Sequence, residues 1–220
     1  MPIKLYGYWR SSAAYRVRIA LNLKGIDYET VPVSLVAEGG EHRKHAYRER
    51  NPQMLVPFFE DGEVTIGQSQ AILEYLEEVY PKISLLPDTA EKRAAVRALC
   101  NLICCDIHPL NNLRVIGYLK NTVNATELQR GAWYAHWIDT GFSAAETILT
   151  VSGLGDPYAF GNEPTLADVC LVPQMYNARR FNVPVDDYPT LSAITDACNE
   201  LDAFKQAAPE SQPDAKSINA

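Results

Sequence analysis

The spacing of apolar residues changes period twice along this chain. Ile3, Leu5 and Tyr6 to Tyr8 follow the two-residue alternation of a half-buried strand. Ser11-Ser12 then opens a run that continues to about Lys24 at helical spacing. Either serine can cap that helix, and Gly25 suits the left-handed position just past its end. Tyr28 to Val33 reads as a second strand, and Pro32 favours an edge position for it. Glu41 to Arg50 reads as a polar helix stopped by Asn51-Pro52. Val56 to Glu60 and Val64 to Ile66 flank Asp61-Gly62, the pattern of a hairpin. Gln68-Ser69 opens a helix with Ala71, Ile72, Tyr75 and Leu76 on one face. This order, β-α-β-α-β-β-α, predicts a mixed sheet with helices on it.

A proline-bounded connector runs from Tyr80-Pro81 to Leu86-Pro87, and beyond it the strand pattern vanishes. Glu91 to Cys105 is helical, with Ala94, Val96, Leu99, Leu102 and Ile103 largely apolar, and His108-Pro109 interrupts it. A long helix is expected from about Ala125 to Thr150, followed by a loop over Gly153 to Phe160. Thr165-Leu166-Ala167-Asp168 has the form of a capping box, with Asp in place of the usual Glu. A last helix covers about Thr190 to Ala208, and the polar tail from Pro209 to Ala220 is expected to fray. The chain thus divides into an α/β domain over 1–81 and an all-helical domain over 88–220.

Composition narrows the classes. Hydrophobic residues make up 47% of the 220, and the net charge is -7, which argues against a nucleic-acid binder. No apolar run approaches the length of a membrane span. The first residues enter a strand without a secretory h-region, and five cysteines do not form a disulfide framework. A reduced, cytoplasmic protein is expected.

Four local features of the first part fit together. The serines at a helix start can be a cap, or can donate to a thiolate or anion held at the positive end of the helix dipole. Val56-Pro57 opens a strand with proline; a cis bond there would leave the Val56 backbone free for a peptide ligand. Gln68-Ser69 is a second helix start that could hold a carboxylate. Asn51-Pro52 reads as a helix stop. A thiol peptide needs the combination: one helix terminus for sulfur, an extended edge for its backbone, another terminus for a carboxylate.

These motifs, with Ala13-Ala14-Tyr15-Arg16-Val17-Arg18, Gln70-Ala71-Ile72 and Thr165-Leu166-Ala167-Asp168, make the chain resemble the glutathione S-transferases over nearly its whole length, from about Ile3 to Pro213. Lys24-Gly25-Ile26-Asp27-Tyr28, Leu171-Val172-Pro173-Gln174 and Tyr188-Pro189-Thr190 resemble the zeta class more narrowly. The resemblance implies a thioredoxin-like N-terminal domain, an all-helical C-terminal domain, a homodimer, and glutathione as cofactor. It implies that Ser11 stabilises the glutathione thiolate with Ser12 beside it. Val56 would pair with the cysteinyl backbone, with Pro57 cis, and Gln68 and Ser69 would hold the γ-glutamyl end. His108 and Asn112 would reach glutathione from the helical domain. The implied reaction is isomerisation of maleylacetoacetate to fumarylacetoacetate: the thiolate adds to the conjugated double bond, the resulting single bond rotates, and the thiolate leaves. Isomerisation of maleylpyruvate and transfer of glutathione to α-haloacids are the alternatives.

The chain departs from the class pattern at Ala13, where a cysteine is usual, and at His108, where glutamine is common. Arg179 stands where an acidic residue is often found. Arg10 and Arg180 are the expected ligands of the substrate carboxylates. Arg16, Arg18 and Arg179 are expected as solvated or ion-paired residues. Cys100, Cys104 and His108 share a helical face, but buried core cysteines fit that spacing better than a metal site. Trp133, Tyr134 and Trp137 read as packing aromatics, and Asp168 as a capping residue.

Overall fold

The computed structural model describes residues 2–216. Strand β1 (Ile3–Gly7) leads into α1 (Ser12–Leu23), and β2 (Tyr28–Pro32) returns parallel to β1. Two single 3-10 turns precede the short α2 (His45–Arg50). The hairpin of β3 (Phe58–Asp61) and β4 (Val64–Gly67) completes a four-stranded sheet in the order β2-β1-β3-β4, with β3 antiparallel to β1. Helix α3 (Ser69–Val79) follows. Then come α4 (Ala90–Asn101), a π-helical turn over Leu102–Ile107, α5 (Leu113–Asn121) and α6 (Glu127–Val151). The order closes with α7 (Leu166–Arg180), α8 (Pro189–Glu200), α9 (Asp202–Ala207) and α10 (Pro213–Lys216).

The chain forms two compact units. One holds the residues up to Leu85 with those from Asn199 onward, as far as they are described; the other holds Leu86–Cys198. Patterning places the division at 82–87 and leaves all later residues in one helical domain, whereas the last segment packs with the sheet unit. The expected helix over 190–208 breaks between Glu200 and Asp202, and α9 lies against α1. The described part of the expected frayed tail is ordered: Pro209, Gln212 and Ala215 are buried. The Gln212 amide donates to the Gln206 and Ala208 carbonyls, both at 2.9 Å. A tail rich in polar residues reads as solvated because its partners lie far off in sequence. Residues 217–220 lie outside the described part.

Alternation in β1 covers both faces of the sheet. Leu5 pairs with Phe59, and Phe59 meets Tyr75 of α3 edge-on. Tyr6 and Phe58 cluster with Val33 and with Tyr47 of α2. The buried face of α3 is Ile72, Leu73, Leu76 and Glu77, not the expected face with Ala71, which is exposed. Helix α1 ends on Gly25 at φ 64°, where the Ile26 amide reaches Leu21 and the Gly25 amide reaches Asn22. That closes the last turn without a side-chain cap. Beside it Lys24 is buried against Glu77 at 2.7 Å, and its ammonium also donates to the carbonyls of Tyr80 and Ile83. Glu77 in turn accepts from the Leu85 amide and the Ser84 hydroxyl. The pair staples α1 to α3 and to the connector.

In the helical unit the expected capping box is complete: Asp168 accepts from the amide and hydroxyl of Thr165, and its other oxygen from the Ala159 amide at 2.8 Å. Burial pushes the Asp168 carboxyl up, against these hydrogen bonds that pull it down. Glu146 of α6 caps α8 by accepting from the Thr190 and Leu191 amides. Gly141 is required by a close approach: a Cβ there would lie 2.2 Å from Ile107 of the π-turn. Helix α5, whose residues are all exposed or half-buried, has no counterpart in the sequence reading. Among the described residues no helix is long and apolar enough to cross a membrane.

Two stability outcomes follow. Lys24→Met leaves the Glu77 carboxylate buried without its cation and is expected to cost about 3–5 kcal/mol. Asp168→Ala leaves two buried amides without an acceptor and is expected to cost about 3 kcal/mol. Both are read as lower urea midpoints of the whole chain.

Candidate active site

The site is built on two helix starts of the sheet unit. Ser11 follows β1 with extended backbone, φ -71° and ψ 115°, and its hydroxyl oxygen accepts from the Ala14 amide at 3.2 Å. Ser11 is therefore the cap, and Ser12 is the first helical residue, buried. Accepting the amide polarises the Ser11 hydroxyl, which keeps its own hydrogen to give. The first turn of α1 carries no acidic residue, so nothing in it neutralises the positive end of the dipole.

The Val56–Pro57 bond is cis. Among the described residues no hydrogen bond uses the Val56 amide or carbonyl. The loop before it is shaped by Asn51, whose buried amide donates to the Leu55 carbonyl at 2.8 Å and accepts from the Gln53 amide at 3.1 Å. Asn51 is thus more than the helix stop the sequence suggested.

Gln68 precedes α3 with φ 70°, a left-handed value that costs a non-glycine residue energy. Its exposed amide donates to the Gln53 side chain at 2.8 Å. Ser69, the first helical residue, is buried, and its hydroxyl accepts from Arg16 Nη1 at 3.3 Å. The first turn of α3 also lacks an acidic residue.

Arg16 and Arg18 are not solvated, which removes one of the two places the sequence reading allowed them. Arg16 is 1% exposed and Arg18 2%. Arg16 joins the two helix starts through Ser69, and its Nε and Nη2 have no partner among the described residues. Arg18 donates to the carbonyls of Ala207 and Trp9. Period alone could not reveal this, since a buried arginine and a surface arginine occupy the same helical spacing. Arg179 does ion-pair, with Asp196 at 3.1 Å.

Arg10 is exposed and lies over the Trp9 ring, 3.9 Å from its centroid. In the helical unit Arg180 is exposed at the end of α7, over the Phe181 ring. His108 follows the π-turn, and its amide reaches back to Ile103 at 2.9 Å. Asn112 caps α5 by accepting from the Arg114 amide at 3.1 Å. Its neighbour Asn111, which the sequence reading passed over, is buried with an amide that has no partner among the described residues. Cys100 is buried in α4, and Cys104 meets Cys170 at 3.7 Å between sulfurs. Trp133 and Trp137 pack edge-on, and Trp133 donates to the Leu110 carbonyl.

The sheet unit thus offers two uncompensated helix starts, a backbone edge and a buried guanidinium, a donor set for an anionic peptide. Comparison with known proteins bears on this. Residues 5–84 match the family model for the glutathione S-transferase N-terminal domain. A probable maleylacetoacetate isomerase of Vibrio cholerae is 49% identical, covering 98% of this chain and 99% of that protein. A solved bacterial maleylpyruvate isomerase, described as a glutathione S-transferase in the zeta class, superposes with a TM-score of 0.93 at 50% identity, over 96% of this chain and 99% of that one. The maleylacetoacetate isomerase of Methylobacterium extorquens, solved with malonate and glutathione bound, gives a TM-score of 0.92 at 37% identity, over 96% and 98% of the two chains.

Gln68 provides a test of the site's backbone. Gln68→Gly relieves the left-handed conformation but gives up the Gln53 hydrogen bond and frees the unfolded chain, so urea unfolding is expected to place its stability within about 1 kcal/mol of wild type.

Proposed function

The chain belongs to the zeta class of the glutathione S-transferases, and we propose that it isomerises the cis double bond of maleylacetoacetate to the trans bond of fumarylacetoacetate with glutathione as cofactor. The observation that carries this reading is the start of α1, where a polarised hydroxyl and an uncompensated dipole meet at Ser11. The donors fit the cofactor. A thiol is ionised more readily beside a helix N-terminus and a hydroxyl donor. The unused Val56 amide and carbonyl suit a peptide backbone. Ser69, backed by Arg16, and Gln68 suit the γ-glutamyl end.

Bound glutathione supplies a thiolate that adds reversibly to the conjugated double bond, which allows rotation before the thiolate leaves. The residues of the chain do the rest. Ser11 donates its hydroxyl hydrogen to the sulfur and holds it ionised, with Ser12 in the same first turn. Arg10 and Arg180 fork onto the substrate carboxylates, where fixed positive charge also meets the negative charge that develops in the reaction. His108 and Asn112 of the helical unit are assigned to the cofactor. Ala13 leaves the seat without a neighbouring thiol, so ionisation depends on hydroxyl and dipole alone.

Maleylpyruvate is the second reading, because the solved relative at 50% identity acts on it by name. Transfer of glutathione to α-haloacids is the third. We also assign the protein a homodimeric state, on the class resemblance, to be read by sedimentation.

The purified protein, freed of small molecules, is expected to isomerise maleylacetoacetate or maleylpyruvate only when glutathione is added back. Turnover that is equal without glutathione, or conjugation of a chlorinated acid with neither maleyl compound converted, overturns the reading. Ser11→Ala is expected to lower kcat about 10²-fold. Arg180→Ala is expected to raise KM for the acidic substrate about 10-fold while glutathione affinity holds; an unmoved KM removes Arg180 from the site.

A further inference from the structure

We propose that Asp214, near the far end of the chain, is a positioning residue for the thiolate seat: its carboxylate fixes the Trp9 backbone and through it the Ser11 hydroxyl. The inference rests on the reading of Ser11 as the thiolate donor. β1 ends at Gly7 and α1 begins at Ser12, so residues 8–11 belong to neither, and their backbone groups must find partners elsewhere. One bond is local: the Ser11 amide returns to the Tyr8 carbonyl at 2.8 Å. Trp9 is held by two bonds of longer range. Its amide donates to Asp214 Oδ2 at 3.0 Å, and its carbonyl accepts from Arg18 Nη2 at 3.0 Å. The same Arg18 guanidinium donates through Nε to the Ala207 carbonyl at 2.9 Å.

Both sides of Trp9 are therefore tied to the segment after Leu201, one directly and one through Arg18. The side chain adds a third tie. Trp9 is 4% exposed and packs in a cluster with Tyr8 and Ala215, the residue after Asp214. Two consequences follow along the chain. Ser11 lies two residues beyond the gripped amide, so the place of its hydroxyl depends on that grip. Arg10 lies between them, with its guanidinium stacked on the Trp9 ring. A segment that the sequence presents as a polar tail thus sets the position of the thiolate donor and of a proposed substrate arginine together.

The action is geometric. It needs an acceptor oxygen at one place and needs no charge there, which the choice of variants separates. Asp214→Asn keeps an acceptor oxygen without the charge; Asp214→Ala removes both; Asp214→Glu keeps the charge and displaces the oxygen by one methylene. Each is titrated in complex with glutathione, following the ultraviolet band of the thiolate. In parallel, exchange of the Trp9 amide hydrogen is followed by NMR of labelled protein. Asp214→Ala is expected to lower the thiolate population at neutral pH about threefold. It is also expected to speed exchange of the Trp9 amide at least tenfold, roughly the loss of one hydrogen bond to a charged acceptor. Asp214→Asn is expected to fall between wild type and Asp214→Ala in Trp9 exchange, within about fivefold of wild type, since it gives up only the charge-assisted part of the bond, and to keep the thiolate population within about twofold. Asp214→Glu is expected to follow Asp214→Ala in direction, and carries the test should Asp214→Ala not fold. Wild-type titration and exchange in both Asp214→Ala and Asp214→Glu overturn the inference. An Asp214→Asn variant as impaired as Asp214→Ala also overturns it, since charge would then be the cause. The underlying reading fails separately: it falls if Ser11→Ala keeps the wild-type thiolate band.

Discussion

A helix that buries two guanidinium groups must bring acceptors to them, and the sheet unit is arranged around that demand. Arg16 and Arg18 sit two apart on α1, each almost without exposure. Arg16 reaches the hydroxyl that opens α3, and Arg18 reaches the loop before α1 and the end of α9. Arg18 meets two carbonyls, whereas Arg16 is held by the Ser69 hydroxyl alone, its Nε and Nη2 having no partner among the described residues. The two arginines therefore fix where α3 starts, where α9 docks and how the chain enters α1. The serine cap, the buried Ser69 and the cis Val56–Pro57 bond all lie within this framework.

The helical unit obeys the same rule with a carboxylate. Asp168, fully buried, accepts from the start of its own helix and from the Ala159 loop, so the loop and α7 are one structure. Glu146 does the same for α8 from outside the helix. The π-turn before His108 packs against a glycine of α6, because only a residue without Cβ admits Ile107 there. In both units buried polar groups act as joints between segments, and apolar packing fills the space between the joints. The chemistry assigned to this protein depends on that economy. A thiolate is held by a hydroxyl and a helix dipole only if the helix start does not move.

What could be read from the residues is what acts over a few positions. The Ser11 cap, the Gly25 stop, the Asp61-Gly62 hairpin and the Thr165 to Asp168 box appear as expected, because each is satisfied within four residues of itself. The alternation of β1 and β3 set the sheet. The family resemblance extended this to the fold and to glutathione, since the motifs that carry it are the same local ones. The face of α3 was misplaced by one residue, because Glu77 reads as polar and outward while Lys24 draws it inward. Helix α5 was missed although Leu113, Ile116 and Leu119 recur at helical spacing behind the Asn112 cap, because the run is only nine residues long and the helical reading stops at the His108-Pro109 interruption.

The sequence by itself determined the strand order of the hairpin, the caps, the two candidate helix starts and the absence of a cysteine at position 13. Those are properties of neighbours, and hydrogen bonds of short span enforce them. Only the tertiary structure decided that Arg16 and Arg18 are buried, that Asn51 shapes the approach to Val56, and that the polar tail is part of the sheet unit. The partners in these cases are 53 residues away for Arg16 and Ser69, and 189 for Arg18 and Ala207. A polar residue read alone is as consistent with solvent as with burial, and the difference lies in whether the fold brings it an acceptor.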